Sequence, residues 1–159
     1  MLARQFEHLR ADDWKYVPNP DNPKAVIVDV DGTIAKMHNR TPYEWNKVGD
    51  DLPHHHVIDV VRGLRDSSYK IIVLSGRSDE CLDATWDWVV ANLGFEPDRL
   101  IMRKAGDNRG DDNIKHELLL TFCDEYNIMM AIDDRPKICR RWRELGIPVL
   151  QVSDPYIEF

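Results

Sequence analysis

The chain has 159 residues, 43% of them hydrophobic, enough for one domain with a sizeable buried core. Its formal net charge of −7 argues against a basic surface that coats nucleic acid without discrimination, while leaving room for a local basic pocket. Cys81, Cys123 and Cys139 are the three cysteines; they lack metal-type spacing and form an odd set, which points to reduced thiols and a cytoplasmic location. No apolar run approaches membrane-spanning length and no signal peptide is visible, so no membrane partner is expected.

Leu2, Phe6 and Leu9 predict a short amphipathic helix over residues 1–10. Pro18, Pro20 and Pro23 forbid regular structure after it, so residues 1–24 read as a helix and a proline-rich lead-in. Ala25-Val26-Ile27-Val28 is short, apolar and β-branched, the pattern of a buried strand. It runs into Asp29-Val30-Asp31-Gly32-Thr33, where Gly32 permits a sharp turn and lets two carboxylates face one point. A plain capping turn uses the same residue types. Ile34 to Pro53 lacks periodicity and reads as a loop or small flap; it carries Lys36, His38, Arg40, Tyr43, Trp45 and Lys47. Basic and aromatic side chains together suit a phosphate with an attached ring; the plain alternative is that Tyr43 and Trp45 pack the flap down. His54-His55-His56 precedes a helix over about residues 57–65. Consecutive residues at a helix start point different ways, so a shared metal site is not expected there.

Ile71-Ile72-Val73-Leu74 forms the second expected strand and ends in Ser75-Gly76-Arg77. Ser75 can donate to a phosphate oxygen and Arg77 can pair with one bidentately, or Ser75 can cap a helix. A helix over about residues 79–93 carries Leu82, Trp86, Val89, Val90 and Leu93 at core spacing, and Gly94 ends it. Leu100-Ile101-Met102 is the third strand. It leads through Arg103, Lys104, Asp107 and Arg109 into a helix over about residues 112–126, with Ile114, Leu118 and Phe122 inward. Lys115 stands four residues after Asp111, the spacing of a pair on adjacent helical turns. Ile128 to Ile132 is the fourth strand, ending in Asp133-Asp134. A helix to about Leu145 and a strand over residues 148–152 close the chain.

This alternation predicts an α/β fold: a Rossmann-like parallel sheet of about five strands with helices on both faces and no large cap domain. Ligands of such sheets sit beyond the carboxyl ends of the strands, where three apolar runs deliver Asp29, Ser75 and Asp133. Asp29, Asp31, Asp133 and Asp134 concentrate negative charge that a hard divalent cation relieves, and magnesium suits a few carboxylates plus phosphate and water. A carboxylate can attack phosphorus, Lys115, Ser75 and an arginine can take the phosphoryl charge, and Asp31 can shuttle the proton. Only about twenty residues separate Thr33 from the first helix, so the site is open enough for a polymer end. Arg40, Arg77, Arg103 and Arg109 would supply local positive charge.

Asp29-x-Asp31-Gly-Thr33, Ser75, Lys115 and Asp133-Asp134 resemble, in order, the four motifs of the haloacid-dehalogenase phosphohydrolase superfamily. The resemblance implies that Asp29 is the nucleophile, Asp31 the general acid and base, and Ser75 and Lys115 phosphate ligands. It further implies magnesium held by Asp29, the backbone carbonyl of Asp31 and the late pair Asp133-Asp134. From Trp14-Lys15-Tyr16-Val17-Pro18 to the last strand, the chain is similar to the 3′-phosphatase domain of the T-even phage polynucleotide kinase/phosphatase family. The stretches that carry this likeness are Lys24 to Lys36, Asn39-Arg40, Pro42-Tyr43-Glu44-Trp45, Ser75-Gly76-Arg77, Gly106-Asp107-x-Arg109-x-Asp111-Asp112-x-x-Lys115 and Ala131 to Arg135. It implies a magnesium-dependent phosphatase of DNA or RNA 3′ ends in residues 25–159. Arg40, Arg77, Arg103 and Asp111 would then be further functional residues, with Arg109, Thr33 and Gly76 beside them at the substrate. Nucleic-acid 3′ ends are the implied partners, together with a link to a polynucleotide 5′-kinase or ligase activity on another chain or domain, in the cytoplasm of a bacterial host if the chain is phage-encoded. No GxxxxGK[ST] occurs in these residues, so 5′-kinase activity is not expected of them. The competing expectations are a small-molecule or mononucleotide phosphatase of the same superfamily, and a non-catalytic end-binding module.

Overall fold

The structure, a computed structural model, describes residues 13–157. The helix expected over residues 1–10 lies outside them. The elements in chain order are β1 (Lys24–Val28), β2 (Ala35–Lys36), a 3-10 turn (Trp45–Asp50), β3 (Leu52–Pro53), α1 (His55–Asp66), β4 (Lys70–Ser78), a 3-10 turn (Asp79–Cys81) and α2 (Leu82–Leu93). They continue with β5 (Arg99–Arg103), α3 (Asp111–Leu120), β6 (Asn127–Asp133), α4 (Pro136–Glu144) and β7 (Val149–Gln151). The main sheet is five-stranded, in the order β5-β4-β1-β6-β7, and every pairing in it is parallel.

A parallel sheet is covered on both faces, which is why its strands are continuous apolar runs. Successive residues of β1 alternate between two cores. Val26 and Val28, with Ile71 and Val73, meet Val57 and Val61 of α1 and Trp88, Val89 and Leu93 of α2. Ala25 and Ile27, with Ile72 and Leu74, meet Leu119 of α3 and Ile138 and Trp142 of α4. The chain winds outward from β1 through β4 to β5, then returns to pair β6 on the other side of β1. That reversal opens a crevice at the carboxyl ends of β1, β4 and β6.

Three local expectations are sharpened or changed. Of the two readings of residues 34–53, loop or small flap, the flap is the one that forms: β2 and β3 pair antiparallel, with Ala35 opposite Pro53. The flap is tied down by Val48, which packs with Cys81, Met102 and Trp45, and by the Trp88 indole, which donates to the Asp51 carbonyl at 2.8 Å. The α2 helix presents Thr85, Trp88, Val89 and Leu93 inward, while Leu82 is 40% exposed. Its inner face is set by polar ties: Thr85 Oγ1 accepts from Arg77 and Trp88 holds the flap. The α3 helix stops at Leu120, short of Tyr126, where the Thr121 hydroxyl donates to the Leu118 carbonyl and competes with continued helix. Phe122 is still buried beyond that stop.

The lead-in packs against the domain. The Tyr16 hydroxyl donates to the Tyr126 carbonyl at 3.0 Å and accepts from the Ile128 amide at 2.8 Å. Cys81 and Cys139 are buried free thiols and Cys123 is half-buried. No helix among the described residues is long and apolar enough to cross a membrane.

Candidate active site

The crevice is a cleft of about 910 Å³. Its floor forms where three neighbouring strands end. The Asp29 amide, one residue past β1, donates to the Ile132 carbonyl of β6 at 3.0 Å. The chain then folds back tightly, and the amides of Thr33, Ile34 and Ala35 all donate to the Val30 carbonyl. Gly32 has φ +81°, and a Cβ there would collide with the Asp134 carboxylate, so no other residue fits this turn. The Thr33 hydroxyl lies 3.1 Å from Asp29 Oδ2 and 3.3 Å from Asp134 Oδ1.

Asp29, Asp133 and Asp134 are all buried and each brings an oxygen within 4.8 Å of the others. From the inner face of α3, Lys115 Nζ donates to Asp29 Oδ1 at 2.8 Å and Asp133 Oδ2 at 2.6 Å. The Trp142 indole donates to Asp133 Oδ2 at 3.2 Å and the Arg135 amide to Asp133 Oδ1 at 3.3 Å. Burial drives the Asp29 carboxyl well above the ordinary carboxylate range; Lys115 opposes this, and Asp133 and Asp134 add to it. Burial, then the neighbouring Asp133, also raises Asp134. Burial alone would lower the Lys115 ammonium, but Asp133 and Asp29 outweigh it and hold the group above its usual value. One ammonium therefore faces three desolvated carboxylates. The donor set is entirely oxygen, and the uncompensated charge is what a hard divalent cation such as magnesium relieves. These residues fit that ion.

The expected pairing of Lys115 with Asp111 does not form. Lys115 sits beneath the cleft, where two desolvated carboxylates attract it more strongly than a partner on the rim. Asp111 instead accepts from Arg103 and, at 2.6 Å, from Arg135. The Asp31 carboxylate also leaves the acid cluster. Arg77 grips it bidentately, Nε to Oδ2 at 2.9 Å and Nη2 to Oδ1 at 2.8 Å, and Arg40 Nη2 reaches Oδ1 at 3.1 Å. The side chain of Asp31 is thus separate from the three-carboxylate group, which leaves its backbone carbonyl as the group the resemblance assigns to an ion.

Behind Asp31 lies a residue that sequence reasoning missed. Asp51 is buried. It accepts from Arg40 Nε at 2.7 Å, Arg40 Nη2 at 2.6 Å and Arg77 Nη2 at 2.7 Å. The aspartate that closes the flap therefore aims both arginines at Asp31. Its one sequence signal is its place at the flap's end; an aspartate in a loop is otherwise ordinary.

The remaining candidates divide. Arg103 donates to the Gly76, Asp107 and Arg109 carbonyls, so it pins the loop before α3. Arg109 is held by Asp107 and Glu117; in return its guanidinium holds Asp107 at about 2. A Cβ on Gly76 would come within 2.7 Å of Asp111 Oδ1. Thr33 and Ser75 support the site from behind the cleft wall, and Ser75 Oγ accepts from the Arg77 amide at 3.1 Å. His54 is drawn onto the wall with Nδ1 3.0 Å from the Thr33 carbonyl, so the first of the three histidines is part of the site's frame.

A family model described as the polynucleotide kinase PNKP phosphatase domain matches residues 23–156. The chain belongs to that family. The chain is similar to a protein of Autographa californica nuclear polyhedrosis virus described as a bifunctional polynucleotide kinase/RNA ligase, 37% identical over 99% of this chain and 24% of that protein's length. Two solved structures of a Pnkp1/Rnl/Hen1 complex contain a chain 34% and 33% identical, with TM-scores of 0.80 and 0.82, over 90% and 94% of this chain and 50% and 49% of theirs. The chain thus spans about a quarter to a half of these relatives. A D,D-heptose 1,7-bisphosphate phosphatase from B. bronchiseptica, 11% identical with a TM-score of 0.56 over 79% of this chain and 78% of that one, shares the fold. As a member of this haloacid-dehalogenase family the chain is a phosphatase domain, of the class of phosphoric monoester hydrolases.

Proposed function

We propose that the protein hydrolyses the 3′-phosphate of a DNA or RNA end through an aspartyl-phosphate on Asp29. The carrying observation is the convergence of Asp29, Asp133 and Asp134 around Lys115 on the floor of an open cleft. A carboxylate oxygen of Asp29 attacks phosphorus while the bond from phosphorus to the 3′-oxygen breaks. Asp31, turned into the same cleft, gives its proton to the leaving 3′-oxygen. As a carboxylate it then takes a proton from the water that attacks the acyl phosphate, which releases inorganic phosphate and restores Asp29. Lys115 offsets charge on the phosphoryl oxygens, and Ser75 supports the wall from behind by accepting from the Arg77 amide. Asp29, Asp133, Asp134 and the Asp31 carbonyl would hold magnesium, which supplies positive charge against repulsion between nucleophile and phosphate. The names of the relatives, a kinase/RNA ligase and an RNA repair complex, support a role beside end-joining activities. Partners of that kind would consume the 3′-hydroxyl made here.

The test is phosphate release from oligonucleotides bearing a 3′-phosphate or a 5′-phosphate, with magnesium or with EDTA. Release from the 3′ end alone, lost with EDTA and abolished by Asp29→Asn, is the expected result. Release of a small-molecule phosphate in preference to both ends would overturn the reading.

A further inference from the structure

We propose that Tyr43 is a stacking platform for the base of the terminal nucleotide, so that the cleft selects an unpaired end that carries a base there; this rests on the nucleic-acid reading above. The sequence offers two aromatic residues in the flap, and the structure separates them. Trp45 packs on Val48, Cys81 and Met102 and holds the flap in place. Tyr43 is 83% exposed yet lies on the wall of the cleft. Core packing does not account for it.

Its presentation is preorganised. Tyr43 sits on a short turn in which the Glu44 amide donates to the Thr41 carbonyl at 3.2 Å. The Glu44 carboxylate accepts from the Thr41 amide at 2.6 Å and from Lys47 Nζ at 2.6 Å. Arg40, buried against Asp51 on one side, and Trp45 on the other anchor both ends of the turn. The backbone that carries the ring is fixed by these bonds, so a flat partner that covers the ring orders little beyond its own side-chain rotamer.

The cleft is also much larger than its chemistry requires. The three carboxylates and Lys115 are four of the many residues that line a space of about 910 Å³, near the top of the range for sites that enclose whole small molecules. The wall also includes Lys36 and Tyr43 from the flap and Lys104 and Arg109 from the loop after β5. Lys36 and Lys104 share that wall with Tyr43, and positive charge together with an exposed aromatic in one groove is what holds single-stranded nucleic acid without reading its sequence. An unpaired end can bring its base into the cleft and onto Tyr43 without the unpairing cost that one strand of a duplex would carry on entering.

The test measures binding by fluorescence anisotropy. The probes are 3′-phosphorylated single strands whose last nucleotide either carries a base or is abasic, and a blunt duplex. Tyr43→Ala and Tyr43→Phe are compared with the wild-type protein, and thermal melting checks that both variants fold. Tyr43→Ala should weaken binding of the base-bearing strand about 5- to 100-fold and leave the abasic strand nearly as before. Tyr43→Phe should keep the preference for a base, and the duplex should bind more weakly than the single strand. The platform is overturned if Tyr43→Ala binds the base-bearing strand like the wild type, or loses both strands equally. Tyr43-dependent binding without phosphate release would support the platform while sinking the phosphatase reading; release with no dependence on Tyr43 would do the reverse.

Discussion

At the scale of single residues, Asp51 decides how the two arginines are set around Asp31. The side chain of Arg77 is fully buried, and so are all but traces of Arg40 and Asp51. Removing one member of such a group leaves the others desolvated and unpaired, at a cost of about 3–5 kcal/mol. Asp51→Ala should therefore lower both stability and turnover. Asp51→Asn keeps the shape but weakens the grip on both arginines, and small misplacement of a reacting group costs about 100-fold in rate. We expect Asp51→Asn to reduce kcat by that order with a smaller change in KM; steady-state kinetics on a 3′-phosphorylated oligonucleotide check it. A variant with unchanged kcat would mean that Asp31 needs no such support.

Between elements, the site depends on close approaches of backbone to carboxylate. Gly76, at the end of β4, leaves room for Asp111 at the start of α3. The Asp111 carboxylate has little freedom to move aside, because Arg103 and Arg135 hold its two oxygens. Gly76→Ala should displace it, loosen the arginine rim and raise KM more than it lowers kcat. Across the sheet, α4 contributes Trp142, which is 1% exposed and donates to Asp133. Trp142→Phe keeps most of the ring but leaves a buried carboxylate oxygen with one donor fewer. Losing a hydrogen bond to a charged group costs about 2 kcal/mol, which in a chain of this size is about 4–8 °C of melting temperature. Calorimetry of the variant measures that shift directly.

For the whole molecule, the acid cluster is a source of instability that the proposed chemistry would require. Burial holds the Asp29 and Asp134 carboxyls above their ordinary values, so the folded state binds these protons more tightly than the unfolded chain does. Their effect on stability is most favourable below the unfolded value of about 4 and is lost as pH rises from there toward the folded values. Two outcomes follow for thermal melting at pH 7. In EDTA, Asp134→Asn should melt above the wild-type protein while losing activity. Magnesium at about 100 times its Kd should add about 2.7 kcal/mol to the wild type, a rise of about 5–10 °C. That rise should be smaller at pH 5, where protons compete for the same carboxylates, and small in Asp134→Asn. Equal magnesium shifts at both pH values would argue against a carboxylate-bound ion.

The apolar runs and their polar ends were enough to place five parallel strands, the helices between them, and Asp29, Ser75 and Asp133 at one edge, while Lys115 entered through the chemistry and the family motifs. The strands and their end residues follow from local periodicity and from the rule that such sheets bind ligands where their strands end. Partner choice was not legible. Lys115 stands one helical turn from Asp111 yet pairs across the sheet; Asp31 is two residues from Asp29 yet faces two arginines; Asp51 gave no sign of its role. Ion pairing depends on which charges are desolvated together, and that is settled only when three strands, two helices and the flap close on one cleft. The same closure separated Tyr43 from Trp45. Sequence spacing determines which side chains arrive at the sheet's edge, and packing in three dimensions determines which of them meet.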